Sequence, residues 1–449
     1  MGGLLVLVLS LIAATAPAGC GPGPSTESAA IAPAGPPAHD PLAVYRETGF
    51  LVGPSAFPIV GRFVYLAGPG DSTYAILALS LPNSALRFRR EPTGFLARYR
   101  VRIVVGDSTS PAATLDETED VRVRTFRETS RTEESVIFQG LLTLTNGDYA
   151  ARVRVGDLGS AREMAVETEL HVPDFRGAWS AAPILVHRVR PRTDRAGRPS
   201  LIVNPRATVQ MEDDSPPTLY LETASTADSA SLRVVVPDEG QVWSRRVALA
   251  GPAGGVRSGR ITLPAEDLLP GVLTVSSTAG AAAASVSVVV TPLAGWVFGS
   301  YDELLDYLRY AGTPDRLRDL REAPLAERAA KFRTFWKGRD PDPGTPENEF
   351  FHDYFRRIQE ANERFGGAGP GWLTDRGSVY ITLGPPDEVF RQLDADPRTG
   401  VGGSQVWRYG RSLGFDLRLV FVDETGTGVF TLTVESRRAF EAAVQRLYS

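Results

Sequence analysis

Three carboxylates near the C-terminal end of the chain are the side chains best placed to do chemistry. Asp375, Asp387 and Glu388 lie close together in the sequence, and His352 precedes them. Carboxylates that face one another can take different pKa values and divide acid and base duties between them. A histidine beside them could serve as a further base or as a metal ligand. Such a cluster would suit hydrolysis, with the three carboxylates as the acting groups.

The rest of the sequence contains few residues and motifs that would support catalysis. The chain has four histidines and one cysteine. It contains no HExxH, no Cys–His metal spacing, no Gly-x-Ser-x-Gly and no phosphate-binding loop. His352 falls on a predicted helix, where a partly solvated histidine is commoner than a ligand. We therefore predict no metal site and no cofactor, assign no catalytic residue, and keep a hydrolase as an alternative function.

The segment 371–377, with the sequence GWLTDRG, favours a structural role for the same region. The large ring of Trp372, between two glycines, suits the filling of a gap between elements. Thr374 and Asp375 have short side chains that bond back to nearby backbone N–H groups and so fix a turn. Arg376 can bind one of the neighbouring carboxylates through two parallel hydrogen bonds.

The elements that hold this segment follow from the spacing of apolar residues before it. Ser300 fits the N-cap of a first helix with a capping box, and a second helix is predicted to start at Pro324. Thr345 as N-cap and Pro346 as first residue predict a third helix, which ends at the glycines 366–367.

Short strands are predicted after the segment, at residues 379–383, 406–409, 417–422 and 429–434, with a closing helix at 440–448. Gly377 closes the turn before the first of these strands. That strand ends at four turn-forming residues, Gly384, Pro385, Pro386 and Asp387. We interpret segment 371–377 as the turn that locks the third helix onto the first strand of an α+β domain. The charged rim from Asp375 to Glu388 is the candidate interaction site.

Several sequence blocks in this region, in the same order, resemble the GWxTD domain family. The blocks are FWKGRDPDPGTPENE at 335–349, YFRRI at 354–358, GWLTDRG at 371–377 and GPPDEV at 384–389. The resemblance covers about residues 296–449, with Asp342 where the family often has Thr and Ser378 where a basic residue is common. It implies an envelope protein with β-domains before the GWxTD domain, and it implies no activity.

Exposed tryptophans would offer another role for the same domain. Aromatic side chains are common at binding surfaces, because a flat ring buries a large area at one contact. Trp372 and Trp407 could therefore stack on sugar rings if both face solvent. A carbohydrate-binding envelope module is the second alternative function.

The chain before this domain alternates apolar and polar residues with a period of two. Tyr99, Val101 and Ile103 alternate with arginines at 98, 100 and 102, and Asn146-Gly147 is a hairpin signal. We predict two antiparallel, Ig-like β-sandwich domains, at 41–175 and 176–292, followed by the α+β GWxTD domain at 296–449. One larger β-unit of interleaved sheets is the alternative. The arginines are interpreted as a solvated outer face rather than an anion site.

The N-terminal residues predict export and a lipid anchor. The apolar run at 4–16 is shorter than the roughly 20 residues of a membrane-spanning helix and suits a signal peptide. It leads to Ala18, Gly19 and Cys20, which resembles a lipobox, although Pro17 stands where the motif usually has Leu. An ordinary cleaved signal with an incidental cysteine is the alternative. We predict a signal peptide at 1–20, lipidation of Cys20, and a tether at 21–40 that reaches about 60 Å.

These features predict a location and the kinds of partner. The protein would lie in the cell envelope, facing the periplasm or the cell surface, held to the membrane by its N-terminal lipid. A partner protein of the envelope is expected. The formal net charge of −5 gives no electrostatic case for nucleic acid, which a basic surface would bind.

Overall fold

The computed structural model describes residues 39–131, 135–213, 215–345, 347–367, 369–392 and 403–448. The predicted signal peptide, Cys20, Pro346 and tether residues 21–38 lie outside the described residues. The assignment of residues 39 and 40 to the tether is wrong, because the His39 ring stacks on Trp296 and Asp40 is the N-cap of the first helix. Asp40 accepts a hydrogen bond from the Leu42 N–H at 3.0 Å and caps helix α1, Pro41–Glu47.

The strands after α1 form two antiparallel sheets. Sheet I has the order β1-β2-β3-β7; in sheet II, β5 pairs with β4, β6 and β8, and β8 pairs with β9. The bounds are β1 Leu51–Val52, β2 Val60–Ala67, β3 Ser72–Pro82, β4 Arg89–Glu91, β5 Gly94–Gly106, β6 Pro111–Val123, α2 Phe126–Thr129, β7 Ser135–Thr145, β8 Gly147–Asp157 and β9 Glu163–Val172.

The next strands form two further sheets. Sheet III has the order β11-β10-β13-β16 and sheet IV the order β12-β18-β17-β14-β15, in which β12 alone pairs parallel. The bounds are β10 Ile184–Arg190, β11 Ser200–Val203, β12 Thr208–Gln210, β13 Thr218–Thr223, β14 Ser229–Val236, β15 Gly240–Ala248, β16 Arg257–Thr262, β17 Gly271–Ala279 and β18 Ala282–Thr291.

Strand β3 shows how the sheets stack. Successive side chains of a strand point to opposite faces, and both faces of β3 are buried. Leu77 and Leu79 join an apolar cluster shared with sheet II, whereas Ile76 and Ala78 join one shared with sheet III. A third cluster fills the space between sheets III and IV. Sheet I is therefore covered on both faces, which explains why β3 is apolar throughout rather than alternating.

A buried ion pair lies where sheets I and III meet. The Arg192 and Glu222 side chains are 8% and 1% exposed, and their closest N–O distance is 2.8 Å. Arg192 also donates to the Ala67 carbonyl of β2 at 2.6 Å. The outer face of sheet II is different, because the arginines at 98, 100 and 102 are at least 43% exposed and pair with carboxylates of β6. The prediction of a solvated face there is confirmed.

The C-terminal region packs helices against a fifth sheet. Sheet V is antiparallel with the order β19-β20-β21-β22. The bounds are α3 Tyr301–Tyr307, α4 Pro314–Glu322, α5 Leu325–Lys337, α6 Glu349–Phe365, α7 Asp375–Leu383, β19 Glu388–Gln392, β20 Ser404–Tyr409, β21 Leu417–Val422, β22 Thr431–Leu432 and α8 Val434–Tyr448. None of the helices in the described part of the chain is long and apolar enough to cross a membrane.

Four predicted elements of this region differ in the structure. Residues 379–383 were expected as a strand but form the end of α7, because a short apolar run buried on all sides has the same pattern in either element. Helix α6 begins at Glu349 with Asn348 as its cap, rather than at Thr345. The last strand is confined to residues 431–432, and the closing helix begins at Val434.

Candidate functional site

Segment 371–377 is a helix start rather than a turn into a strand. Residues Gly371–Leu373 form one 3-10 turn, and α7 follows at once. The Thr374 hydroxyl accepts a hydrogen bond from the Gly377 N–H at 3.0 Å and donates to the Gly371 carbonyl at 2.7 Å. Thr374 therefore caps α7 and ties it to the preceding turn, which is the local role predicted for it.

Trp372 is fully buried at the centre of the C-terminal core. Its ring stacks on Tyr307 at 4.8 Å with an interplanar angle of 6°, and the guanidinium of Arg309 lies 4.9 Å from its centroid. Its backbone N–H donates to the Asn362 side chain at 3.1 Å. The segment thus joins α3 and the last turn of α6.

The two outer glycines of the segment are required by close backbone contacts. A Cβ on Gly371 would lie 2.1 Å from the Ala361 carbonyl of α6, and a Cβ on Gly377 would lie 2.1 Å from the Gly371 carbonyl. Both distances are far below any real carbon–oxygen contact. The backbone of α6, the 3-10 turn and α7 therefore touch directly, with no room for a side chain between them.

Asp375 and Arg376 fix the other side of α7. The Asp375 carboxylate accepts from the Leu432 N–H at 2.7 Å and from Arg437 at 2.6 Å, which links α7 to β22 and α8. Arg376 lies between the rings of Phe365 and Phe430 and donates to the Gly428 carbonyl. We expected Arg376 to bind one of the carboxylates, but these contacts take its place.

Gly384, Pro385, Pro386 and Asp387 make the connection from α7 to sheet V. Gly384 has φ +81°, and a Cβ there would press on the Arg357 guanidinium at 3.2 Å. Asp387 accepts from the Gly410 N–H at 2.7 Å and from the Ser412 hydroxyl at 3.2 Å. These hydrogen bonds, the one from Gly410 foremost, hold the pKa of the Asp387 carboxyl below its usual value.

The four residues of the hydrolase hypothesis each bind a different partner. Asp375 and Asp387 hold backbone N–H groups, and Glu388 lies 3.7 Å from Arg408 at the surface. His352 contacts Glu212, at the other end of α6 from Asp375. Such contacts position backbone rather than substrate. Within the described ranges, no group of three His, Cys, Asp or Glu side chains could hold a metal ion.

A groove that the sequence analysis did not identify lies between the β-sheets and α6. This junction groove has a volume of about 810 Å³, and its walls include residues from α1, the turn before β12, the segment after β18, and α6. His39, His187 and His352 all line it, so three of the chain's four histidines meet there. No local motif could have revealed it, because its walls come from distant parts of the chain.

His39 forms part of the groove wall. Its ring stacks on Trp296 at 4.5 Å, and its Nε2 accepts a hydrogen bond from the Val297 N–H at 3.3 Å. A ring nitrogen that accepts must be unprotonated. Burial lowers the pKa of His39 from 6.5 to about 4, and the neighbouring Asp40 opposes this only in part.

Glu212 joins the other wall of the groove to the sheets. Its side chain is 5% exposed; one oxygen accepts from the Asn348 N–H at 2.9 Å, and the other contacts His352 Nε2 at 2.8 Å. Burial raises the pKa of the Glu212 carboxyl, although both contacts lower it. The N-terminal end of α6 is thereby fixed to the loop after β12.

Residues 273–429 match the family model of the GWxTD domain. The chain contains a GWxTD domain. The matched span begins within β17, so it includes two strands of sheet IV as well as the helical region. No curated protein matches the chain.

Among solved structures, one similar chain is described as "Biofilm associated protein - BSP domain". It is 8% identical, with a TM-score of 0.16, over 56% of this chain and 54% of that chain. The chain therefore matches about half the length of that structure.

The carbohydrate-binding alternative for the GWxTD domain is wrong as it was framed. Trp372 is fully buried, and Trp407 is 3% exposed, packed against Phe365 and Phe421. Neither ring can stack on a sugar. Both tryptophans are parts of the core.

The close backbone contact in the GWxTD domain makes Gly377 intolerant of a side chain. We expect Gly377→Ala to lower the free energy of unfolding by about 1–3 kcal/mol, because the added methyl must push α7 away from the 3-10 turn. Gly367→Ala is the matched control, since a Cβ there meets nothing within 4 Å. Urea unfolding of both variants gives the comparison, and equal stabilities would contradict the steric argument.

The buried histidine of the junction groove predicts a pH dependence of stability. Between pH 6.5 and 4 the unfolded chain protonates His39 while the folded protein resists, so stability falls as pH falls. His39→Gln keeps an acceptor but cannot titrate. It should therefore reduce this loss, by at most roughly 3 kcal/mol at pH 4.

Urea unfolding across pH 4–7 measures this effect. His171→Gln is the control, because Asp148 raises the pKa of His171, so the stability contributed by that contact does not change with His171 protonation below pH 6.5 and is lost only as the pH rises above it. Parallel curves for the wild type and His39→Gln below pH 6.5 would refute a neutral, buried His39.

Proposed function

We propose that this protein is an exported envelope protein, held to a membrane by lipid on Cys20, which docks a partner polypeptide in the junction groove. The observation that carries the proposal is the groove itself, about 810 Å³ in volume, between the sheets and helix α6 of the GWxTD domain. The role is structural and protein-binding rather than catalytic. In this proposal the sheet pairs I–II and III–IV are Ig-like sandwiches that act as spacers.

The composition of the groove supports a polypeptide ligand. Protein interfaces combine aromatic anchors with a polar rim. The groove has the half-buried ring of Trp296 in its wall, and Gln210 and Gln359 beside it. Amide side chains can donate to and accept from a peptide backbone, whereas the ring offers apolar area.

The GWxTD signature acts in this proposal as the support of one groove wall. His352, Phe355, Arg356 and Gln359 lie at helical spacing on one face of α6. The signature fixes the last turn of that helix through Trp372 and the glycine contact described above. A rigid wall loses little conformational freedom on binding, which favours affinity.

Support for the anchor comes from the sequence. Cys20 follows an apolar run and two small residues. His39, which is packed beside the groove, follows Cys20 by a segment that would reach about 60 Å if extended as polyproline II. A groove tethered in this way would stay close to the membrane and meet envelope partners.

The lipid anchor predicts a change of fraction. Cys20→Ser should move the protein from the membrane fraction to the soluble fraction, because acyl chains contribute about 0.8 kcal/mol per buried CH₂. Immunoblotting of separated fractions, with Ala18→Ser as a nearby control that leaves the thiol intact, measures it. Unchanged membrane retention of Cys20→Ser would remove the anchor from the proposal.

Partner docking predicts position-specific cross-linking. A photo-reactive residue in place of Gln359, which is exposed in the groove wall, should cross-link one partner protein in intact cells. The same residue in place of Gln241, which is exposed on β15 away from the groove, is the matched control. The same adducts at both positions, or none at Gln359, would contradict docking in the groove.

A further inference from the structure

The junction groove contains an arginine that forms no ion pair with any carboxylate among the described residues. We propose that Arg206 binds a carboxylate of the docked polypeptide, so that the groove selects acidic segments of its partner. This inference rests on the docking function proposed above and gives the chemistry of its ligand.

Arg206 is held in the groove wall by a tightly bonded turn. The Asn204 side chain accepts from the Arg206 N–H at 3.2 Å and donates to the Thr208 carbonyl at 2.9 Å. Ala207 follows with φ +48°, a conformation that a non-glycine residue seldom takes. Full burial of Ala207 and a hydrogen bond from the Val289 N–H to its carbonyl at 2.9 Å stabilise this conformation. These contacts fix the backbone at Arg206 in the groove wall.

The other charged groups of the groove already have partners. Arg356 pairs with Asp353 and Glu360 on its own helix, and His352 contacts Glu212. Asp213, the acidic lining residue, accepts from the Ser215 N–H at 2.8 Å.

Arg206 differs from these groups. Among the described residues none forms an ion pair with its guanidinium, and its Nε is buried without a hydrogen-bond partner. A buried donor left unpaired is destabilising, and a bound acceptor would remove this penalty. The groove therefore leaves the Nε–H of Arg206 without an acceptor among the described residues.

The charge balance favours a carboxylate over other anions. One unpaired guanidinium matches a single negative charge, and its planar fork suits two parallel hydrogen bonds to a carboxylate. His39 is neutral near pH 7, because burial keeps its pKa at about 4, so it adds no second cation for a phosphate dianion. The lining also includes the ring of Trp296 and the amides of Gln210 and Gln359, which suit peptide. An Asp or Glu within an extended segment fits all three features.

Paired peptides test this inference. An array of octapeptides, each made with Glu or Asp at a central position and again with Gln or Asn there, is probed with the labelled full-length chain. We expect the acidic member of the bound pairs to bind about tenfold more strongly. Arg206→Gln should abolish this preference, and Arg206→Lys should keep part of it because the charge remains. Arg102→Gln is the control, which should keep the preference because that arginine lies on the outer face of sheet II and not in the groove.

The outcomes separate the ligand chemistry from docking itself. Equal binding of acidic and amide peptides, or an undiminished preference in a folded Arg206→Gln, would overturn the role of Arg206. Peptide binding that Gln359→Trp blocks but that shows no acidic preference would overturn it while leaving docking intact. Inorganic phosphate and vesicles of anionic phospholipid are measured in parallel. Arg206-dependent binding of either, without binding of acidic peptides, would also overturn the assignment.

Discussion

The backbone of Gly377 lies against the Gly371 carbonyl so closely that a single methyl group cannot enter, and the same holds for Gly371 against Ala361 of α6. This contact sets the distance between α6 and α7, and the rest of the GWxTD domain is arranged around it. Trp372 can then fill the core beneath, and Asp375 can reach β22 and α8. The signature residues therefore act together, and each makes a different contact that holds α7 against its neighbours.

The contacts of the signature also support the junction groove, because α6 is one continuous helix. Its last turn is fixed by the signature, and its first turn is fixed by the buried carboxylate of Glu212 from the sheet region. The helix face between these two points forms one wall of the junction groove. Strands β3 and β7 of sheet I form part of the opposite side through Ser80, Ser135 and Ile137.

The sequence predicted the parts of the fold that depend on local pattern. Strands at 406–409 and 417–422, the Ser300 cap and the outer arginine face of sheet II all agree with the structure. It failed at residues 379–383, where burial on every side erases the periodicity that separates helix from strand. The GWxTD signature was recognised, yet its partners were not, since Arg376 binds aromatic rings and a carbonyl rather than a carboxylate.

The groove could not be predicted from the sequence, for a different reason. His39, Arg206, Trp296 and Phe355 meet only after the chain has passed through four sheets, and none of them stands in a motif. His39 was even assigned to a tether, because a Pro- and Ala-rich segment gives no sign of where it first touches the core. The site is marked by an unpaired positive charge, which only the folded structure reveals. Among the described residues the Arg206 guanidinium has no ion-pair partner, whereas Arg356 and His352 in the same groove each contact a carboxylate.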